Sequence, residues 1–404
     1  MPRATVLIGF AEALAAPEAA WSLLDRDFRV VAFARRGRAS ALRHSKYVKC
    51  YEISPPESDL KAALADIRDL CSSLSAENGS TPRLLFPLDD KAVWLGSRME
   101  LRDGWVLAGP RGPSAELALR KCIQIQAALD AGFEVPATGM ARSAKDIFEF
   151  CETTPFPVIL KAADCVSISG NRMFDCPKWI CANRGELDRA VAAWGERTPV
   201  LVQPFIVGTG EGVFGFAGPD EVLGWSGHRR LRMMNPQGSG SSACVSKSVP
   251  PEIRLKAAEM VKRAGWRGMF MIELLRDAGG RVWFVELNGR PWGSLALSRR
   301  QGLEYAAWHI ELAINPQAST ATELPSDHQI VCRNLGREIM HLLFVLRGPK
   351  SGALVEWPSF WKTLADVLPI RRTDTFYNWC GGDVRVFLAD CYYTIHDQVF
   401  KTKH

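Results

Sequence analysis

The 404-residue sequence lacks the cysteine patterns that bind zinc or form a disulfide framework. Its eleven cysteines stand singly, with no C-x-x-C pair and no cysteine and histidine cluster at zinc spacing. An odd number of scattered cysteines is typical of reduced thiols in the cytoplasm. We therefore expect a cytoplasmic protein without a structural zinc ion.

Long hydrophobic runs are also missing, and no apolar run is long enough to cross a bilayer. The first twenty residues share features with a signal peptide, because Arg3 precedes an apolar stretch and small residues follow. Glu12 interrupts that stretch, however, and the segment TVLIGF is typical of a first strand that ends in a glycine turn. We expect no transmembrane segment and favour the strand over a secretion signal.

A strong excess of one charge is absent too. The formal net charge of +6 is spread over the chain, and basic residues do not alternate with aromatic ones as in RNA-binding proteins. We expect no nucleic-acid partner, although a modest positive charge suits anionic ligands such as nucleotides. With 47% hydrophobic and 23% charged residues the composition is globular, and the length allows about two to four domains.

Short apolar segments alternate with helical stretches over the first hundred residues. The segments TVLIGF, FRVVAFAR and RLLFPLDD predict parallel strands of a doubly wound α/β sheet. No G-x-G-x-x-G follows the first strand, so a dinucleotide site is not expected there. The Pro- and Gly-rich segment AGPRGPSAEL then indicates a domain boundary near residue 110.

The segments after this boundary carry two lysines at defined places. A helix ending at Gly132 has Lys121 near its middle, and the buried strand PFPVILKAAD has Lys161 at its end. Pro204 interrupts the strand VLVQPFIVGTGEGVFGF, which is typical of a hinge between two lobes. A polar linker at Pro316–Pro325 predicts that the remaining residues form a separate helical and mixed extension.

The segment GMFMIELLRDAGGRVWFVELNGR contains two apolar runs joined at DAGGR, which predicts a β-hairpin. If its two glycines form a two-residue loop, Glu273 lies opposite Glu286, with Cβ atoms about 5 Å apart. Such carboxylates need a cation between them, and Asn288 on the same face adds an oxygen for Mg²⁺ or Mn²⁺. A three-residue loop would place Ile272 opposite Glu286 instead, and a strand with solvated charges is the other interpretation.

Basic residues accompany the hairpin. Arg290 follows on the same face, where beside a metal its guanidinium would bind phosphate oxygens. The upstream segment GHRRLR is typical either of a carboxylate or phosphate site or of a solvated basic strand, and its Arg232 is our candidate for orienting an acceptor carboxylate. No Ser-His-Asp or Cys-His signature is present, so no nucleophilic residue of the protein is expected.

In these features the sequence resembles the ATP-grasp superfamily, in particular the carbamoyl-phosphate-synthetase-like and D-alanine-D-alanine-ligase-like enzymes. The resemblance covers roughly residues 1–315 and is most specific between Glu273 and Ser294, which include E-x-N-x-R-x-W-G-S. It implies an α/β and α+β multidomain fold. The expected units are a parallel pre-ATP-grasp α/β domain at 1–110, an ATP-grasp small lobe at 111–200, a large lobe at 201–315 and a C-terminal extension at 316–404.

The resemblance also implies ligands for each site residue. Magnesium would be bound by Glu273, Glu286 and Asn288, and the transferred phosphate by Arg290. ATP would be bound by Lys121 and Lys161 at its phosphates, by Gln203, Pro204 and Ile206 at the adenine, and by Glu211 at the ribose.

Two departures from the family stand out. The segment AADCVSISGNRMFDCPKW has only Gly170 where the family's phosphate-covering loop is usually rich in glycine. Pro204 stands where relatives often have Glu or Lys, so only backbone groups are expected to recognise adenine.

Together these residues predict an ATP-dependent ligase that joins a small-molecule carboxylate to an amine through an acyl phosphate. Two alternatives stay open: an enzyme that phosphorylates carbamate or another small acid, and a nucleotide-binding module without turnover. The amphipathic stretches EIMHLLFVLRGPK and WPSFWKTLADVLPI are typical of core helices, but also of membrane or protein docking. A homodimer is left open as well.

Overall fold

The computed structural model describes residues 2–77, 81–238, 240–317, 329–353 and 356–400. Within these ranges the chain is a mixed α/β protein, with a parallel sheet at its start and mainly antiparallel sheets after it. This agrees with the fold class predicted from the sequence. None of the helices in the described part is long and apolar enough to cross a membrane.

The N-terminal domain is a parallel sheet with helices on both faces. Its strands are β1 Thr5–Gly9, β2 Arg29–Arg35, β3 Lys49–Ile53, β4 Arg83–Pro87 and β5 Trp105–Leu107. Its helices are α1 Ala16–Leu24, α2 Leu60–Glu77 and α3 Asp90–Arg98, with a 3₁₀ helix at Ala41–His44. The strand order is β3-β2-β1-β4-β5, and the central β1 is buried along its whole length. Burial on both faces explains why its sequence is continuously apolar.

Two helices, rather than the single one predicted, follow the first domain. They are α4 Pro113–Leu119 and α5 Lys121–Asp130. Arg120 between them has an extended backbone and forms an isolated bridge with Asp164. Lys121 therefore begins a helix instead of lying near the middle of one.

The small lobe has an antiparallel sheet of four short strands and a separate two-stranded hairpin. The strands in chain order are β6 Gly139–Ala141, β7 Val158–Ala162, β8 Ser167–Ser169, β9 Arg172–Phe174, β10 Trp179–Cys181 and β11 Val200–Pro204. The sheet order is β10-β7-β11-β6, and β8 pairs with β9. The helices α6 Ala144–Thr153 and α7 Arg184–Trp194 cover the sheet, and the side chains of Ser143 and Asn183 cap their first turns.

The large lobe is a seven-stranded sheet. Its strands are β12 Gly208–Ala217, β13 Val222–Met233, β14 Ser241–Lys247, β15 Gly268–Asp277, β16 Val282–Asn288, β17 Val331–Arg333 and β18 Asp374–Phe376. The remaining helices are α8 Pro251–Arg263, α9 Leu295–Arg300, α10 Tyr305–Ile314, α11 Leu335–Arg347, α12 Phe360–Val367 and α13 Val384–Val399. The sheet order is β16-β15-β12-β13-β14-β17-β18.

The segment expected to be a separate extension is in fact part of this sheet. β17 pairs with β14 and β18 pairs with β17, so residues after 328 supply one edge of the large lobe. Most of the linker predicted at Pro316–Pro325 lies outside the described residues. The sequence did not reveal this edge because β17 and β18 have only three residues each.

The N-terminal domain and the large lobe share one hydrophobic core. α1 packs against α9 and α10, and the Phe86 ring stacks on the His309 ring with centroids 5.4 Å apart. The buried carboxylate of Glu18 accepts hydrogen bonds from Arg299 at 2.7 Å and Arg300 at 3.1 Å. This packing holds the carboxyl edge of the first sheet beside the large lobe.

Candidate functional site

A cavity of about 630 Å³ lies between the sheets of the small and large lobes. One wall is β7, where Ile159 and Lys161 face the cavity while Val158 and Leu160 pack into the small-lobe core. Along its edge runs the chain between β11 and β12, where the predicted hinge at Pro204 lies. The predicted site residues that line the cavity are Lys161, Gln203, Pro204, Ile206, Arg232, Glu273 and Glu286.

Glu273 and Glu286 lie opposite each other across β15 and β16, as predicted, but through a different hairpin. The turn has three residues, not two, because Asp277 and Arg281 are joined by a backbone hydrogen bond of 3.0 Å. Near the turn the strands are therefore paired one residue away from the predicted register. The predicted two-residue loop is wrong.

A β-bulge at Val285 restores the pairing of the two carboxylates. The extra residue in β16 shifts the register by one, so that Glu273 again faces Glu286. The bulge also interrupts the alternation of faces. Strict alternation would place Phe284 on the face of Glu286, but its side chain is buried in the core together with Leu287.

Glu273 and Glu286 have few ion-pair partners among the described residues. The only ion pair of Glu273 within the described residues is with Arg230, whose Nη2 lies 2.8 Å from Oε1. Burial raises the pKa of Glu273, Arg230 opposes this, and the nearby Glu286 raises it further. Gly210 has no side chain, and this leaves room for Arg230. A Cβ atom at this position would lie 2.6 Å from Cδ of Arg230.

The oxygen atoms at this place suit a hard divalent cation. Asn288 turns its amide nitrogen toward Glu286 Oε1, at 3.5 Å, and toward Met271 Sδ, at 3.4 Å. Its amide oxygen is then available beside two carboxylates, and such oxygens are the ligands that Mg²⁺ prefers. No group of three or more His, Cys, Asp and Glu side chains at metal-binding distance occurs in the described ranges. A cation here would therefore also need ligand or water oxygens.

Lysine side chains approach the carboxylates from the small lobe. The pKa of Lys161 is lowered to about 8, mainly by burial and also by Lys121, while Glu286 and Glu273 oppose the shift. Lys121 begins α5, where its N–H donates to Ala163 at 2.9 Å, and it does not line the cavity. Lys178, which we did not predict, does line it.

Arg290 is held by the N-terminal domain. Its Nε and Nη2 donate to the two carboxylate oxygens of Asp90 at 3.0 and 3.2 Å. Burial lowers the pKa of Arg290, but Asp90 outweighs this effect and the pKa lies above its usual value. With Glu273, Glu286 and Asn288, Arg290 lines a second cavity of about 150 Å³ next to the first.

Glu211 does not point into the cleft. It lies opposite Leu274 on β15, which is a core residue, whereas the neighbouring Glu273 faces the cavity. Its carboxylate accepts hydrogen bonds from Lys247 at 2.5 Å and from Arg276 at 2.9 and 3.0 Å. Burial opposes the effect, but these two cations hold the pKa of Glu211 below its usual range. The expectation that Glu211 binds the ribose is therefore corrected.

The guanidinium of Arg232 is also paired with a buried carboxylate. Its Nε and Nη2 donate to both oxygens of Glu338, at 2.9 and 2.7 Å, and this carboxylate is fully buried and also paired with Arg333. The pair ties β13 to α11. Two residues before it, Arg230 is the arginine of GHRRLR that reaches the carboxylates. Arg232 lines the 630 Å³ cavity, but Glu338 already occupies its guanidinium, so we no longer expect it to orient the acceptor carboxylate.

Two residues that line the 150 Å³ cavity come from the part of the chain that the family resemblance does not cover. They are Arg337 of α11 and Tyr377, and they lie beside the carboxylates. Arg337 donates from Nη1 to the Ser241 carbonyl at 3.1 Å, and no carboxylate lies within ion-pair distance of it in the described part of the chain. Burial lowers its pKa. Nothing in the sequence identified these residues, because only the fold brings them to the hairpin.

The last residues of the E-x-N-x-R-x-W-G-S motif, Trp292 and Ser294, contact side chains of the large-lobe sheet. Ser294 Oγ is 2.7 Å from Nδ1 of the buried His228, and the Trp292 ring stacks on Phe214 with centroids 4.6 Å apart. Burial and Arg230 lower the pKa of His228 to about 3, so this ring is neutral at neutral pH. These contacts hold the chain after Arg290 against β12 and β13.

The glycine-poor loop is fixed to the N-terminal domain. Its β8–β9 hairpin turns at Gly170, which has a positive φ of 57°. The Asn171 amide donates to Asp59 at 2.7 Å, and the Asn171 carbonyl accepts from Leu60 N–H at 2.8 Å. Arg172 Nε donates to a backbone carbonyl of the same domain at 3.0 Å. The hairpin tip therefore rests on the first domain.

The chain has the fold of ATP-grasp ligases, as the resemblance implied. It is similar to the biotin carboxylase domain of 2-oxoglutarate carboxylase from Hydrogenobacter thermophilus, in complex with MgADP, ADP and bicarbonate. The identity is 17% over 81% of this chain and 73% of that chain, with a TM-score of 0.61.

Two further solved structures have the same fold. N5-carboxyaminoimidazole synthetase from Staphylococcus aureus, complexed with ADP, has 15% identity over 85% of both chains and a TM-score of 0.61. L-amino acid ligase from Bacillus licheniformis has 16% identity over 82% of this chain and 79% of that chain, with a TM-score of 0.59. Searches of protein-family models and of curated proteins gave no significant match.

Proposed function

We propose that this protein is an ATP-dependent ligase that joins a carboxylate to an amine and releases ADP and phosphate. The γ-phosphoryl group of ATP would pass to the substrate carboxylate, giving an acyl phosphate. The nitrogen of an amine would then attack the acyl carbon and displace phosphate, forming an amide. Positioning and charge stabilisation suffice for both steps, so no nucleophilic side chain of the protein is needed.

One observation carries this proposal. Glu273 and Glu286 are forced together across a hairpin at the floor of a cleft, and Arg230 is the only ion-pair partner of Glu273 in the described part of the chain. With Asn288 they would hold Mg²⁺, or Mn²⁺, against phosphate oxygens of ATP. The metal would supply charge neutralisation at the phosphates, which is its usual role in phosphoryl transfer.

The remaining cleft residues suit a nucleotide. Lys161 and Lys178 would bind its phosphates, with Lys121 nearby raising the local positive charge. The backbone of Pro204 and Ile206 would recognise the adenine edge. Gln203 lies beside them, and its amide donates to Thr138 Oγ1 at 2.7 Å, which fixes the wall of the adenine pocket. A pocket between two lobes is the usual place for such a ligand.

Arg290 and Arg337 would act on the reacting groups. Arg290, oriented by Asp90, would bind an oxygen of the transferred phosphate. Arg337 lines the same small cavity, and no carboxylate of the described chain lies within ion-pair distance of it, although Asp390 is near enough to raise its pKa. A substrate carboxylate would provide a direct ion-pair partner. We assign to Arg337 the orienting role first expected of Arg232.

ADP release tests the proposal directly. The protein is incubated with ATP, magnesium and a panel of amino acids and small carboxylic acids, offered singly and in pairs. We expect sustained ADP release only when a carboxylate and an amine are both present, with an amide as product. Release with a single acid, and an acyl phosphate as product, would favour the small-acid phosphorylating enzyme. Absence of release with every pair, despite nucleotide binding, would favour a module without turnover.

A substitution at Arg337 tests the carboxylate site. Arg337→Ala removes a charge-assisted hydrogen bond worth about 1.5–3 kcal/mol, so KM for the carboxylate should rise about ten- to a hundredfold. Affinity for ADP should stay unchanged, because this residue lies outside the nucleotide cleft. Arg385→Ala, at an exposed arginine of α13, is the control. An unchanged KM in Arg337→Ala would contradict the assignment.

A further inference from the structure

The helix α12 exposes large apolar side chains to solvent. Trp361 and Leu368, seven residues apart, fall on one face of the helical path and are 76% and 67% exposed. Thr363 and Val367 on the opposite face are buried. Ile370, just beyond the helix, is 72% exposed. A helix that packs only against its own protein would carry polar residues where Trp361 and Leu368 lie.

The neighbouring helix α11 exposes an apolar stripe as well. Leu335, Ile339, Leu343 and Leu346 recur at intervals of three and four, and all are exposed. α12 packs against α11, so the two exposed apolar stripes belong to neighbouring helices. The sequence alone left open whether these stretches are core helices or docking segments, and the exposure of both stripes favours docking. We call α11, α12 and residues 368–372 the docking face.

Positive charge surrounds the docking face. Its exposed cations are Arg347, Lys350, Lys362, Arg371 and Arg372. Between residues 335 and 372 the exposed carboxylates are Glu356 and Asp366, because Glu338 is buried in its pairs with Arg232 and Arg333. Exposed tryptophan, leucine and isoleucine beside lysine and arginine is the composition of segments that lie in the interface of a bilayer.

We propose that the docking face binds the surface of a membrane rich in anionic phospholipid. Trp361, Leu368 and Ile370 would enter the boundary between headgroups and acyl chains, while Arg371 and Arg372 contact lipid phosphates. A second copy of the chain fits less well, since a two-fold contact through this face would bring the same cations of both copies together. The protein would dock without spanning the bilayer.

Vesicle sedimentation with the full chain tests this proposal. The probes are vesicles of phosphatidylcholine alone and of phosphatidylcholine with about 30% phosphatidylglycerol, at low and high salt. We expect binding to the anionic vesicles at least tenfold tighter than to the neutral ones, and weaker at high salt. Equal binding to both vesicles, or no binding to either, would overturn the proposal.

Two variants test which residues carry the binding. Arg371→Glu with Arg372→Glu should weaken binding to anionic vesicles by at least twentyfivefold, at about fivefold for each lost cation. Trp361→Ala with Ile370→Ala should weaken it about tenfold or more through lost apolar burial. Unchanged binding in both variants would overturn the proposal.

Controls separate docking from misfolding and from self-association. Leu255→Ala removes a leucine that is 73% exposed on α8 between Arg254 and Lys256, and it should bind vesicles like the unaltered protein. All variants should keep the thermal unfolding midpoint and ADP affinity of the unaltered protein. Light scattering gives the mass in solution. A dimer that Trp361→Ala with Ile370→Ala converts to a monomer, without vesicle binding by either, would overturn the proposal in favour of a second copy.

Discussion

At the scale of single residues, the candidate site has buried charges of both signs that do not cancel one another. Arg230 pairs with Glu273, yet burial and Glu286 still raise the pKa of that carboxyl. Lys161 is buried near another lysine, and its pKa falls to about 8. Each group is stabilised when a ligand of opposite charge enters, which is the electrostatic condition for binding a metal and a polyphosphate together.

Lys161 gives a prediction on pH. Because burial and Lys121 lower its pKa to about 8, its ammonium group loses its proton as the pH rises from 7 to 9. A charge-assisted hydrogen bond to phosphate is then lost, so the dissociation constant of ADP without metal should rise about tenfold. Isothermal titration at several pH values measures this.

Lys161→Arg is the matched variant, since arginine keeps its charge over this range. Its ADP affinity should vary much less between pH 7 and 9. The carboxylates of Glu273 and Glu286 are unchanged in the variant, so the difference between the two pH profiles belongs to Lys161. A flat profile in the unaltered protein would contradict the role given to Lys161.

At the scale of elements, the β15–β16 hairpin explains what the sequence could predict and what it could not. Alternating residues and DAGGR were enough to predict the hairpin and the facing pair of Glu273 and Glu286. The three-residue turn and the bulge at Val285 were not predictable, because register depends on packing across the sheet. The predicted pair was nevertheless right, because the extra residue in the turn and the extra residue in β16 shift the register in opposite directions.

The sequence-based predictions for other elements differ from the structure for related reasons. The helix predicted around Lys121 is broken at Arg120 by a bridge to Asp164, a contact distant in sequence. Glu211 was assigned from the family resemblance and Arg232 from the basic segment GHRRLR, but the strand faces and Glu338 determine their partners. Local periodicity predicted the parallel sheet of the first domain, and the family resemblance implied the two lobes, whereas side-chain partners depend on tertiary contacts.

Gln124 joins α5 to β16 and gives a prediction on stability. Its amide donates to the carbonyls of Ala118 at 3.1 Å and Leu287 at 3.0 Å, and accepts from Leu287 N–H at 3.0 Å. Gln124→Leu keeps the volume but removes these three hydrogen bonds from buried backbone groups. The free energy of unfolding should fall by about 2–5 kcal/mol. Denaturant unfolding measures the loss.

Gln126→Leu, on the exposed side of the same helix, is the control for Gln124→Leu. Gln126 donates only to Asp130 at 2.8 Å, and its loss should change the free energy of unfolding by less than about 0.5 kcal/mol. Equal effects of the two substitutions would show that Gln124 does not connect the two elements.

At the scale of the whole molecule, the N-terminal domain reaches the reaction site through an ion pair. Asp90, at the start of α3, holds Arg290 after the hairpin, and the two domains share a core through α1, α9 and α10. The tip of the β8–β9 hairpin also rests on this domain, through Asn171. The first domain therefore positions groups from both lobes.

Asp90→Asn tests this positioning. The substitution removes the charge that fixes Arg290, so kcat of the ligase reaction should fall about ten- to a hundredfold. ADP affinity should stay unchanged, because neither residue lines the nucleotide cleft. In a double-mutant cycle with Arg290→Lys the losses should not add. Additive losses, or a change in ADP affinity alone, would contradict the positioning role. Asp69→Asn, at an exposed residue of α2, is the control.

The central claim is that two carboxylates facing each other in a cleft bind a divalent cation together with a nucleotide. Titration of ADP with and without Mg²⁺ into the protein, and into Glu286→Gln, tests it most directly. We expect Mg²⁺ to tighten ADP binding at least tenfold in the unaltered protein and to have no effect in Glu286→Gln, which should keep the same thermal unfolding midpoint. ADP binding that is absent, or equally strong with and without Mg²⁺ in the unaltered protein, would contradict the claim.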